Sequence, residues 1–111
     1  MIRAALLIGL LASPFAGPVY AAEICIENQT GKTLFMVADL NASTRQSSDI
    51  STGQSLCLSV PADTQKAVVS AYLNEDVVEG CSRLTRPGQR ETLLKFHEFD
   101  NCSWAATPRG F

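Results

Sequence analysis

Ile24-Cys25-Ile26-Glu27-Asn28-Gln29-Thr30-Gly31-Lys32-Thr33-Leu34-Phe35-Met36-Val37 is the stretch whose reading decides the fold. Polar and apolar residues alternate from Glu23 to Glu27, placing Ile24 and Ile26 on one face of a strand and Cys25 on the other. Thr33 to Val37 has the β-branched and aromatic content of a second strand. Leu34 and Met36 lie on one side of it, Phe35 and Val37 on the other, which predicts a strand covered on both faces. Between the two, Asn28-Gln29-Thr30-Gly31 predicts a hairpin turn, because Asn and Gly tolerate the positive φ such connections need.

The same grammar continues along the chain. Asp39 to Ser48 is polar and aperiodic and reads as a loop. Ser51-Thr52-Gly53-Gln54 turns into a strand from Ser55 to Val60, which Pro61 ends by removing a ladder donor. Ala67 to Leu73 alternates strongly, Asn74 to Gly80 is an acidic connection, and Cys81 to Thr85 returns as a strand before the Pro87-Gly88 turn. Arg90 to Phe99 fits a short helix as well as a strand, since Leu93, Leu94 and Phe96 satisfy neither period cleanly. Six or seven short strands separated by turn signals, with nothing resembling a βαβ unit, predict an all-β fold: a small antiparallel β-sandwich or barrel.

Residues 1–21 read as a secretory signal peptide. Arg3 precedes an apolar run from Ala4 to Leu11, two proline breaks follow, and Val19-Tyr20-Ala21 offers the small side chains of a cleavage site. The run is too short to span a bilayer, which takes about 20 apolar residues. Residues 22–105 form one disulfide-stapled β-domain in this reading, and 106–111 a flexible tail. Cleavage removes Arg3 from the 9 basic residues and none of the 11 acidic ones. A mildly acidic chain without a basic stripe gives no electrostatic reason to expect nucleic acid or an anionic membrane.

All four cysteines, Cys25, Cys57, Cys81 and Cys102, follow the cleavage site. An even count in a short exported chain predicts a disulfide framework. No CxxC pair is present and His97 is the only histidine, which argues against zinc, haem attachment and thioredoxin-like chemistry. Cys25 faces away from Ile24 and Ile26, and Cys57 away from Leu56, Leu58 and Val60. Shared parity pairs these two if their strands are neighbours, leaving Cys81 with Cys102. Each bridge contributes about 2–4 kcal/mol in a domain with a modest core.

No catalytic constellation stands out. One imidazole, oxidised cysteines and no GxSxG elbow leave no activated nucleophile, and no cofactor or metal is expected. Glu75, Asp76 and Glu79 read as a solvated acidic loop, without the EF-hand pattern a calcium loop would carry. Arg83, Arg86 and Arg90 bracket the Pro87-Gly88 turn, where forked guanidinium donors suit an acidic partner; the plainer reading pairs them with the preceding acidic loop. Asn28, Asn41 and Asn101 each match the Asn-x-Ser/Thr pattern, which is normally silent in a bacterial protein.

The expected function is therefore an exported, non-enzymatic binding or accessory protein of the bacterial envelope, periplasmic or secreted, whose partner is another envelope protein. A small secreted inhibitor of an enzyme is the alternative, with the Asp39–Ser48 segment as its plug. Peptide mapping under non-reducing conditions should find no free thiol and the bridges Cys25–Cys57 and Cys81–Cys102. A Cys25–Cys81 peptide would overturn the parity argument.

Overall fold

A computed structural model describes residues 22–106, all strand and connection with no helix. The expected leader 1–21 and the tail beyond 106 lie outside the described residues. Eight strands follow in order: β1 (Ala22–Asn28), β2 (Leu34–Asn41), β3 (Thr44–Ile50), β4 (Ser55–Val60), β5 (Ala67–Tyr72), β6 (Gly80–Thr85), β7 (Arg90–Lys95) and β8 (Ser103–Trp104). They form two four-stranded sheets, ordered β4-β1-β7-β8 and β3-β2-β5-β6. The core fills the space between them: Ile24, Ile26, Leu58, Val60 and Leu93 from the first sheet, and Leu34, Met36, Ala38, Val69 and Ala71 from the second. The all-β sandwich is as expected, with eight strands instead of six or seven.

Four details differ from the sequence reading. β1 and β2 are not a hairpin, because they belong to different sheets and their connection arches over the core. β1 pairs with β7 in parallel, Cys25 opposite Arg90 through Asn28 opposite Leu93, so the sheet is not wholly antiparallel. Asp39–Ser48 is not a loop; it is the end of β2, a two-residue turn and most of β3. β3 is an edge strand exposed along most of its length, and no buried face imposed alternation on its residues. Finally, Arg90 to Lys95 is strand, with Leu93 in the core and Leu94 outside.

Turn chemistry in the first arch is side-chain chemistry. Among the described glycines only Gly53 and Gly88 have positive φ, so Gly31 does not supply a left-handed turn position. Asn28, fully buried, does the organising. Its Nδ2 donates to the carbonyls of Lys32 (2.9 Å) and Ile50 (2.7 Å), while Oδ1 accepts from the Thr30 N–H (2.9 Å) and hydroxyl (2.6 Å). The backbone of Asn28 also ties this arch to the β3–β4 connection, accepting from Gly53 N–H (2.6 Å) and donating to the Gln54 carbonyl (2.9 Å). Asn41 repeats the pattern at the β2–β3 turn, its Oδ1 accepting from Ser43 and Thr44. Two of the three Asn-x-Ser/Thr matches are therefore Asx turns, in which the hydroxyl two residues on bonds the same amide oxygen.

The connections divide between two ends of the sandwich. The β1–β2, β3–β4, β5–β6 and β7–β8 connections share one end; the β2–β3, β4–β5 and β6–β7 connections share the other. We call these the four-connection and three-connection ends.

Asn28→Ala strips donors from two carbonyls and an acceptor from Thr30, and leaving buried polar groups unpaired costs about 1–3 kcal/mol each. The expected loss is at least about 2 kcal/mol in chemical denaturation. A loss below about 0.5 kcal/mol, ordinary for a surface position, would overturn this role.

Candidate functional site

The two disulfides brace different things. Cys25 and Cys57 sit directly opposite each other on β1 and β4, inside one sheet, with Cα atoms 4.1 Å apart. Cys81 of β6 and Cys102, just before β8, join the outer strands of the two sheets across 6.1 Å. Both pairings are the expected ones, and they suit an oxidising, extracytoplasmic setting. Among the described residues, the one grouping of metal-capable side chains is Glu23 with Cys25 and Cys57. Its sulfurs are joined in the disulfide and so offer no thiolate.

The three arginines do not form one surface. β6 inverts the usual pattern: Leu84 points outward and is exposed, while Cys81, Arg83 and Thr85 face inward. Arg83, its side chain 22% exposed, places Nη1 3.5 Å from Oε1 of Glu91, whose side chain is 0% exposed. Thr85 donates its hydroxyl to Glu91 Oε2 (2.8 Å). The Arg83 guanidinium also lies 5.3 Å from the Trp104 ring centroid and 3.4 Å from the Ala105 carbonyl. Arg83 thus bridges β6 to β7 and β8 between the sheets. Arg90 faces outward on β7 and donates to the Ser55 hydroxyl (2.8 Å). Half-buried Arg86 lies at the three-connection end, beside Asp63, Thr64 and Gln65. The Glu75–Glu79 segment is at the opposite end of β6, so the arginines beyond Thr85 do not pair with it.

A cleft of about 660 Å³ lies at the three-connection end, lined by Glu23, Ser59, Pro87, Gln89 and Arg90 among others. It is an open depression with one carboxylate and one guanidinium, and no further grouping marks it as reactive. His97 is exposed at the start of the β7–β8 connection, where its backbone N–H, not its imidazole, reaches Cys102 Sγ (3.3 Å).

The four-connection end carries the feature that sequence reading missed. Val78 is 89% exposed and Phe99 70% exposed, with Leu73 and Val77 partly exposed beside Val78. Their two connections are clamped together. Asp100 N–H donates to the Gly80 carbonyl (2.9 Å), Asp100 Oδ1 accepts from Ser82 N–H (3.0 Å), and the Cys81–Cys102 bridge lies alongside. Phe99 and Asp100 both hold positive φ, 61° and 58°. That conformation is costly for a bulky side chain, so the surroundings must hold it. At the start of β6, Gly80 lies close against β5: a Cβ there would lie 2.1 Å from the Ala71 carbonyl oxygen. A cleft of about 340 Å³, lined by Leu73, Asp76, Val77, Val78, Glu79 and Glu98, opens between the connections. Comparison with protein-family models, curated proteins and solved structures gives no match to this chain.

The buried ion pair makes a direct prediction. Arg83→Met leaves the Glu91 carboxylate in the core without its guanidinium, and breaking such a pair costs about 3–5 kcal/mol. Arg83→Met combined with Glu91→Leu should recover most of that loss. Denaturation of both variants decides it: equal losses in single and double variant would mean that Arg83 stabilises through something other than Glu91.

Proposed function

We propose that the protein is an exported, non-enzymatic binding protein of the bacterial envelope, acting in the periplasm or outside the cell through a protein–protein surface. The observation that carries this reading is the braced, apolar four-connection end. Large side chains exposed together on a small exported domain are a liability unless something covers them. Here the Cys81–Cys102 disulfide and the Asp100 bonds to Gly80 and Ser82 tie together the two connections that carry them. Rigid presentation lowers the ordering cost of association, which suits a binding surface. No helix among the described residues is long and apolar enough to cross a membrane. In the inhibitor alternative, the Asp39–Ser48 plug would be the β2–β3 hairpin.

The test is affinity capture from an envelope extract with the oxidised, immobilised protein. A partner retained in near-stoichiometric amount at physiological salt is the expected result. Capture of an enzyme whose turnover falls on binding would favour the inhibitor reading, and no retained partner would overturn the proposal.

A further inference from the structure

We infer that the four-connection cleft receives a lysine or arginine side chain from an extended, basic and aliphatic segment of a partner protein; this rests on the binding reading above. Half of the cleft's lining is apolar (Leu73, Val77 and Val78) and half is carboxylate (Asp76, Glu79 and Glu98). The connection from Leu73 to Gly80 contains three acidic residues and no basic one. With Glu98 and Asp100 on the β7–β8 connection, these two connections hold five of the chain's 11 acidic residues.

That combination selects among occupants. A hard cation needs oxygen donors on all sides, and these carboxylates do not converge: among the described residues no three of them bring ligand atoms within 4.8 Å of one another. An anionic membrane surface would be repelled. A purely apolar segment would leave three carboxylates facing it without compensation. A long basic side chain meets both halves, its aliphatic stem lying along Val77 and Val78 while the charged head reaches the carboxylates. At about 340 Å³, the cleft exceeds by roughly tenfold the share of liquid volume that one water occupies, leaving room for such a side chain.

The experiment titrates the oxidised, isotope-labelled protein with a blocked peptide of alternating leucine and arginine. Two further peptides replace arginine by glutamate, or leucine by serine. Amide shifts confined to residues 73–80 and 96–102 are expected with the first peptide only. Asp76→Lys with Glu79→Lys should weaken that binding by about tenfold or more, since it sets like charges against the peptide. Val78→Ser should weaken it severalfold while the melting temperature stays near wild type, because Val78 is a surface position. Equal binding of the glutamate peptide, shifts elsewhere, or indifference to Val78→Ser would overturn the inference, as would concentration-dependent dimerisation through this end in sedimentation. The same variants are then applied to any partner captured from envelope extract. Undiminished capture by Asp76→Lys/Glu79→Lys and by Val78→Ser sinks the cleft assignment while the binding reading stands; no capture by wild type sinks both.

Discussion

Glu91 sits at full burial between two sheets, and the far side of the sandwich is arranged around accommodating it. A carboxylate in such a place is costly unless it is both charge-paired and hydrogen-bonded. Arg83 supplies the opposite charge and Thr85 the hydroxyl, and both come from β6 in the opposing sheet. To supply them, β6 must turn its polar residues inward and leave Leu84 in solvent. The ion pair and the Thr85 hydrogen bond thus join β6 to β7 across the sandwich.

The two covalent bridges divide the remaining work. Cys25–Cys57 locks a pairing already closed by the β1–β4 ladder, so it constrains the unfolded chain more than it shapes the folded one. Cys81–Cys102 acts where hydrogen bonding is thinnest. β8 has only two residues, and the segment before it is irregular. The bridge, with the Asp100 clamp to Gly80 and Ser82, keeps that segment against β6.

The two ends of the molecule differ in chemistry as a consequence. The three-connection end holds Arg86, Arg90 and an open depression of mixed charge. At the four-connection end, the β5–β6 and β7–β8 connections are acidic and apolar together. Strained left-handed residues at Phe99 and Asp100 persist because the bridge and the clamp over-determine them.

Much of this was legible in the residues. Alternation at Ile24/Ile26 and at Leu56/Leu58/Val60 defined strand faces, and parity made Cys25 and Cys57 a compatible pair on condition that their strands are neighbours, which the β1–β4 ladder supplies. The even cysteine count made the second bridge follow. Two things stayed hidden for physical reasons. Local pattern shows a strand's buried face only when that face is apolar, so exposed β3 read as loop, and Glu91 at a core position made β7 ambiguous between strand and helix. Likewise, nothing local distinguishes a turn that folds back within one sheet from an arch that crosses to the other, which is why β1–β2 read as a hairpin. The sequence by itself determined an all-β, disulfide-closed domain and narrowed its bridges to a pairing conditional on strand neighbours. Only the tertiary structure decided which sheet each strand joined, that Arg83 is an interior residue, and that the acidic connection meets Glu98 and Asp100, because each depends on contacts between residues far apart in the chain.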